Sequence, residues 1–310
     1  MSEAFRIILT GQAAFGERVL NALVDRGENI VGVFCPPDRK GKPADPIKQA
    51  AEKHGIAVFQ FKRMRDAQTI EAIEMLRGDL GVMAFVTDIV PEGFIAAPRL
   101  GTIQYHPSLL PKHRGPSSIN WPIIQGETKT GLSIFWPDAG LDTGPILLQK
   151  EVEITPDDTL GTMYFDKLFT LGVDAMLESV AMVKDGTAPK MQQDESQMTY
   201  ESWCLAEDVV IDWNAPIDRI HDMVRGSDPS PGANSTFNVE TIKFFGTTKG
   251  AGPSDARPGE VVDVDDEGFS IAARDGILTV RRVQPDGSKK IAASEWVASV
   301  GLKVGDRFGS

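Results

Sequence analysis

The sequence predicts an α/β protein in which a mostly parallel sheet, with helices on both faces, is followed by a smaller all-β domain. From residue 5 to about residue 184, short apolar runs alternate with amphipathic segments, which is typical of parallel strands joined by helices. Farther on, short strand-like runs are separated by turn residues, which is typical of a small barrel or sandwich. The chain of 310 residues is long enough for two domains.

The first domain is predicted as alternating strands and helices. Continuous apolar runs predict the strands, which are Phe5–Thr10, Ile30–Phe34, Ala57–Phe61, Gly81–Val86, Gly101–Tyr105, Leu132–Trp136 and Ile146–Ile154. Periodicity and start signals predict the helices, which are Glu17–Arg26, Asp45–His54, Asp66–Arg77, Asn120–Gln125 and Thr159–Lys184. The first loop, Gly11–Gly16, has neither the dinucleotide fingerprint nor the lysine of a P-loop, so its glycines are interpreted as allowing close packing.

The second domain is predicted to follow a linker that is rich in glycine, proline and glutamine, Asp185–Tyr200. A short helix is expected at Pro216–Arg225. Runs bounded by turn residues predict the strands, which are Thr241–Phe245, Gly259–Val264, Gly268–Ala273 and Ile277–Val283. These short strands favour a small all-β barrel or sandwich. No run of exposed aromatic and basic residues indicates a nucleic-acid face there.

Composition excludes some classes of protein. The net charge of −12 argues against a large nucleic-acid footprint, which usually has a basic surface. No apolar run is long enough to span a bilayer, and the N-terminus enters a strand directly, so neither a membrane segment nor a signal peptide is expected. The two cysteines, Cys35 and Cys204, lack metal-type spacing and favour a reduced, cytoplasmic protein. The sequence does not predict an oligomeric state.

The stretch Gly101–Gly144 is the candidate active site. His106 follows a predicted strand, and Asp138 and Asp142 lie among glycines after the next one. The simpler alternative is a hydrogen-bonded structural histidine and a turn whose carboxylates face water. Because loops at strand ends bring distant side chains together in α/β enzymes, we expect His106 and Asp142 to meet and act on a carbonyl. The histidines lack zinc spacing, so no metal is expected.

The string HPSLLP, followed by RG and then by GLDTG, resembles the signature of the folate-dependent formyltransferases. That family includes methionyl-tRNA formyltransferase and the hydrolase domain of 10-formyltetrahydrofolate dehydrogenase, and the chain resembles the hydrolase domain more closely. The resemblance implies a Rossmann-like catalytic domain over residues 1–203 and an OB-like β-barrel domain over residues 204–310. It also implies an enzyme whose co-substrate is 10-formyltetrahydrofolate.

The resemblance assigns catalytic roles to three side chains. His106 is the expected proton donor and Asp142 the essential carboxylate. In the true formyltransferases an asparagine stands two positions before the histidine, whereas the hydrolase domain has isoleucine there. This chain has Gln104, whose amide can donate from an arm one methylene longer. The identity of the formyl acceptor therefore stays open.

The resemblance also predicts contacts with the folate. For Arg114 two alternatives are equal: it holds an anionic tail of the ligand, or it pairs with a carboxylate. His113 is expected to be exposed. The predicted folate contacts are Asp88, Ile89, Val90, Arg114, Asp138 and Asp142.

Three functions follow from the resemblance. The first is removal of formyl from 10-formyltetrahydrofolate to water or a small acceptor. The second is methionyl-tRNA formyltransferase, which the acidic charge and a short basic loop at Arg39–Lys42 disfavour. That family carries a longer basic insertion at this point and uses it on tRNA. The third is a folate-binding module without turnover, for which Gln104 is the single sequence indication.

Overall fold

The computed structural model describes residues 4–253 and 255–309. Its first β-sheet is mostly parallel. Its strands, in chain order, are β1 (Arg6–Gly11), β2 (Asn29–Phe34), β3 (Val58–Phe59), β4 (Leu80–Ala84), β5 (Thr102–His106), β6 (Lys129–Phe135) and β7 (Ile146–Glu153). Across the sheet the order is β3-β2-β1-β4-β5-β6-β7. Strands β1 to β5 pair in parallel, whereas β6 runs antiparallel to β5. The chain moves outward from β1 to β3 and then returns to the other side of β1, so a topological switch point lies between β1 and β4.

Helices connect these strands. They are α1 (Ala13–Asp25), α2 (Pro46–Lys53), α3 (Ala67–Met75), α4 (Glu92–Ala96), α5 (Asn120–Ile124), α6 (Leu160–Thr162) and α7 (Phe169–Lys184). Helix α1 contacts α2 and α7, whereas α3 contacts α4. The helices therefore form two groups, α1 with α2 and α7, and α3 with α4, as expected for a sheet that has helices on both faces. Within one group, Gly172 of α7 lets the helix approach the rings of Phe15 and Tyr105, whose centroids lie 4.4 Å apart.

The second sheet is antiparallel and lies in the last third of the chain. Its strands are β8 (Asn234–Phe237), β9 (Glu240–Gly250), β10 (Val261–Val264), β11 (Phe269–Ala272), β12 (Ile277–Pro285) and β13 (Ile291–Ala292). The order is β10-β11-β12-β9-β8, with β13 on β12. Helices α8 (Ile217–Gly226) and α9 (Ala293–Val300) accompany it. Its core is aromatic, with Trp213, Phe244, Phe269, Trp296 and Phe308 all buried.

Two compact units divide the chain. The first contains the described residues up to Pro116, with Gly131–Val152 and Lys167–Tyr200. The second contains Ser117–Thr130, Glu153–Asp166 and the described residues from Glu201 onward. The second unit therefore includes two segments that the sequence pattern placed in the first domain. The predicted boundary at residues 203 and 204 stays a prediction.

The fold class predicted from the sequence is confirmed, and the differences lie in individual elements. The predicted helix Thr159–Lys184 is divided, because a π-helix at Met163–Leu168 separates α6 from α7. Strand β9 runs on to Gly250, beyond the predicted end at Phe245, and α4, β8, β13 and α9 were not predicted. Within residues 4–253 and 255–309, the helices all lack the length and apolarity needed to cross a membrane.

Candidate active site

His106 is the last residue of β5, and its side chain is buried. Its ring is oriented by the loop that follows, because Nε2 lies 2.9 Å from the backbone oxygen of His113. A carbonyl only accepts, so Nε2 carries the hydrogen and donates it. The second ring nitrogen, Nδ1, is therefore the one that can gain or lose a proton while this hydrogen bond is kept.

Asp142 faces that nitrogen. Its Oδ2 lies 3.6 Å from His106 Nδ1, and both side chains are buried. The same oxygen accepts a hydrogen bond of 2.9 Å from the backbone N–H of Gly115. The separation of 3.6 Å exceeds the usual range for a hydrogen bond, so the two groups are not locked together, and they attract each other when the imidazole is protonated. A third atom could therefore take a proton from Nδ1 beside the carboxylate.

The loop that carries Asp142 follows β6, whereas His106 ends β5, and these two strands do not end at the same edge of the sheet. Strand β6 is antiparallel to β5, with Phe135 opposite Gln104 and Ser133 opposite His106. The segment after β6 therefore starts beside the amino end of β5. Asp142 itself has φ of +56°, a left-handed conformation that aspartate tolerates better than most residues with a side chain.

A polar chain behind Asp142 holds this loop. Gln193 Nε2 donates to the backbone oxygens of Asp142 at 2.8 Å and Gly144 at 2.7 Å. Its Oε1 accepts from Arg114 Nη2 at 2.8 Å. Arg114 is buried, and its two Nη atoms donate to the two carboxylate oxygens of Glu195 at 3.0 and 2.6 Å. This hydrogen bonding lowers the pKa of Glu195.

Of the two alternatives for Arg114, the structure shows the ion pair with a carboxylate, that of Glu195. Gln193 and Glu195 were missed by sequence reasoning, which interpreted Asp185–Tyr200 as a linker. Both residues act through contacts with side chains and backbone groups far away in the sequence, so no local pattern signals them. The expectation that His113 is exposed is wrong: its side chain is buried, and its backbone N–H donates to Thr199 Oγ1 at 2.8 Å.

Gln104 lies two residues before His106 on the same strand, so the two side chains point to the same face. It is half-buried. Within the part of the chain that the structure describes, its side-chain amide has no hydrogen-bond partner. The amide is therefore free to donate to a ligand on the face that His106 occupies.

The other predicted ligand contacts lie in two exposed loops. Asp88 and Ile89 follow β4, and β4 is parallel to β5, so this loop begins at the same sheet edge as His106. The Asp88 carboxylate accepts from the backbone N–H groups of Met64 at 3.0 Å and Ile89 at 2.8 Å, whereas Val90 packs against a buried apolar cluster. Asp138 accepts from Gly140 N–H and from Thr143 Oγ1, which forms a turn.

A cavity of about 160 Å³ lies at the switch point, beyond the carboxyl ends of β1, β2 and β4. Its lining combines aromatic and charged side chains: Phe34, Arg39, Phe61, Lys62, Phe85 and Asp88. This is where open α/β sheets bind ligands. Of the described residues, no group of three or more His, Cys, Asp or Glu side chains has a geometry that could hold a metal ion.

Comparison with known proteins gives matches along nearly the whole chain. Residues 5–180 match the family model described as formyl transferase, and residues 205–301 match formyl transferase, C-terminal domain. The chain is 40% identical over 309 residues to mitochondrial 10-formyltetrahydrofolate dehydrogenase of Mus musculus, covering 95% of this chain and 33% of that protein. It thus spans about a third of the length of such relatives. It is 34% identical to methionyl-tRNA formyltransferase of Geobacter metallireducens, over 98% of each chain.

Solved structures share the fold at low sequence identity. HypX from Aquifex aeolicus in complex with tetrahydrofolic acid superposes with a TM-score of 0.71 at 19% identity, covering 97% of this chain and 48% of that one. An N-formyltransferase from Helicobacter canadensis, in complex with folinic acid and dTDP-3-aminofucose, has a TM-score of 0.65 at 17% identity. It covers 93% of this chain and all of that one.

Proposed function

This chain belongs to the formyl transferase family of enzymes, and on that premise we propose that it takes the formyl group from 10-formyltetrahydrofolate and gives it to water or a small acceptor. The observation that carries the proposal is the buried pair of His106 Nδ1 and Asp142 Oδ2 at the end of β5. An imidazole next to a carboxylate supplies both an oriented proton donor and a negative charge that stabilises the imidazolium.

The proposed reaction begins when a nucleophile attacks the formyl carbon. The carbon–oxygen double bond becomes an oxyanion, which protonated His106 stabilises by donating from Nδ1. The carbon–nitrogen bond then breaks, and the departing folate nitrogen takes the proton that Asp142 accepted from the nucleophile. With water as the nucleophile, the products are formate and tetrahydrofolate. Asp142 holds the imidazolium during the charge build-up and accepts the proton that the nucleophile releases.

Gln104 is proposed to donate from its side-chain amide to the formyl oxygen. Support comes from its position on the same face as His106 and from the absence of a hydrogen-bond partner for its amide among the described residues. Asp88, Ile89 and Val90 stay proposed folate contacts, made largely by backbone groups of their loop, and Asp138 also stays a proposed folate contact. Arg114 is proposed to act through Gln193 on the Asp142 loop, because its guanidinium already pairs with Glu195.

The test is deformylation of 10-formyltetrahydrofolate with and without amine acceptors. We expect turnover, with a loss of roughly 10²–10⁴-fold in His106→Asn and in Asp142→Asn. His54→Asn is the matched control, since His54 is an exposed histidine at the end of α2. Folate binding with no turnover would instead favour the non-catalytic folate-binding module, and turnover that neither variant changes would refute the roles of His106 and Asp142.

A second candidate is methionyl-tRNA formyltransferase. The match with the Geobacter enzyme over 98% of both chains favours it, whereas the net charge of −12 argues against a nucleic-acid substrate. A formylation assay with charged initiator tRNA separates the two candidates. Relatives named cytosolic and mitochondrial both occur, so the cytoplasmic location stays a prediction.

A further inference from the structure

A second cavity, of about 330 Å³, lies in the second compact unit and has no role in the proposed reaction. It is bordered by α8, by the middle of β9 and by the loop before α6. The cationic and polar part of its lining is His221, Arg225, Thr247, Thr248 and Lys249, and two carboxylates, Asp157 and Asp228, also line it. A volume of this size is at the lower end of the range for small-molecule sites.

Arg225 is the principal feature of this cavity. It is 8% exposed, and its Nε donates to Asp222 Oδ1 at 2.7 Å. Its Nη1 donates to the backbone oxygens of Thr155 at 3.3 Å and Asp158 at 3.0 Å. These bonds fix the plane of the guanidinium. Its Nη2 has no acceptor among the described residues and is not one of the fully enclosed polar atoms, so it is left with donors available to a ligand.

His221 lies one helical turn before Arg225 and also borders the cavity. It is 9% exposed, and its Nε2 lies 3.3 Å from the backbone oxygen of Thr247. Its buried Nδ1 has no partner in residues 4–253 and 255–309. Burial lowers the pKa of His221, and the charges of Lys249 and Arg225 lower it further, although the bond to Thr247 and the charge of Asp222 act in the opposite direction. An anion placed here would relieve the cationic repulsion.

The acidic groups around the cavity do not neutralise Nη2. Asp228 is paired with Lys290 at 3.2 Å, and Asp157 is exposed at the rim. Lys249 is paired with Asp218, but its side chain is 40% exposed and can turn. The backbone at Gly246 has φ of +56°, so a side chain at this position on the cavity wall would be strained. Arg225 Nη2 therefore remains available to a ligand, although the Arg225 guanidinium pairs with Asp222 and the exposed Asp157 carboxylate lies at the rim.

We propose that this cavity is a binding site for a small oxyanion, a phosphate or carboxylate group, held by Arg225 and supported by Lys249. Nη2, whose hydrogens have no acceptor among the described residues, suits a charge-assisted hydrogen bond to such a group. The site shares no residue with the His106 and Asp142 pair, so the proposal stands independently of the deformylation reaction.

The test follows the ring C–H signals of the four histidines by NMR while inorganic phosphate, or separately succinate, replaces chloride at constant ionic strength. The His221 signal is assigned by its loss in His221→Gln. We expect a saturable shift of this signal and a rise of the His221 pKa with at least one of the two anions. Absence of any shift with both anions, or a shift that grows without saturation as it does in chloride, overturns the proposal.

Variants separate a built site from a general charge effect. Arg225→Lys should weaken binding roughly tenfold to a hundredfold, because a charge-assisted bond is lost. Lys249→Met, a change at a partly exposed side chain that does not depend on the folding role of Arg225, should weaken it severalfold. Lys303→Met is the matched control at an exposed lysine outside the lining and should leave affinity unchanged. Equal affinity in Lys249→Met, Arg225→Lys and the control would refute the assignment.

Discussion

Gln193 is the side chain on which the position of Asp142, the proposed catalytic carboxylate, depends most directly. Replacing it with methionine keeps the length of the side chain and removes its bonds to the Asp142 and Gly144 oxygens and to Arg114. Neutral hydrogen bonds contribute about 1 kcal/mol each and a bond to a charged group about 1.5–3 kcal/mol. Because Gln193 is half-buried in a segment that is otherwise exposed, water replaces part of these hydrogen bonds, and we expect a loss of about 2–3 kcal/mol in the free energy of unfolding.

The effect on turnover should be larger than this loss of stability suggests. Without Gln193 the loop is free to move, and a displacement of about 1 Å at a catalytic group can cost on the order of 10²-fold in rate. We therefore expect kcat for deformylation to fall by about that factor, while KM changes little. Gln193→Glu, which keeps an acceptor for Arg114 but turns a carboxylate oxygen towards the Asp142 and Gly144 carbonyl oxygens, should lower kcat at least as much as Gln193→Met does.

The assay compares kcat and KM well below the unfolding temperature, together with urea unfolding. Gln192→Met is the matched control, because Gln192 is an exposed neighbour with no hydrogen bond among the described residues. If Gln193→Met retains the parental kcat although its unfolding free energy has dropped, then the loop does not depend on Gln193 for its catalytic geometry and the positioning argument fails.

Three other outcomes are expected. The folded protein binds protons less readily at His221 than the unfolded chain does, so stability should decline as pH falls below about 6.5, and His221→Gln should weaken this decline in urea unfolding between pH 5 and 8. Burial raises the pKa of Cys35 and Cys204 to about 11, so iodoacetamide at pH 8 should modify them only after unfolding, as followed by mass spectrometry. Gly172→Ala places a methyl 2.6 Å from a ring carbon and should destabilise by about 1–3 kcal/mol in thermal unfolding, whereas Gly93→Ala has room and should not destabilise.

The family and the order of elements were predictable because both are local properties of the sequence. Apolar runs mark the strands wherever they are buried, and the run from His106 to Pro111 with its distant Gly-Leu-Asp-Thr-Gly partner carries the family signature. The family prediction is confirmed by the matches over residues 5–180 and 205–301. The catalytic roles assigned to individual residues stay predictions.

Other features depend on long-range pairing that no local pattern records. The antiparallel direction of β6 is decided by its neighbour, β5, and not by its own composition. The role of Gln193 follows from a bond that spans 51 residues to Asp142. The burial of His113 follows from its contact with Thr199, 86 residues away. A segment that looks like a linker by composition can therefore be part of the scaffold.

The left-handed backbone at Asp142 restricts which substitutions are informative there. Asparagine is the other side chain that adopts this conformation readily, so neutralising the acid leaves the turn undisturbed. Glutamate keeps the charge but pays for the unfavourable backbone and overshoots the ring. Substitutions of Asp142 should thus fall into two classes: asparagine, which removes the charge and keeps the loop, and glutamate, which keeps the charge and alters the loop. A related enzyme with glutamate at this position would need a different turn.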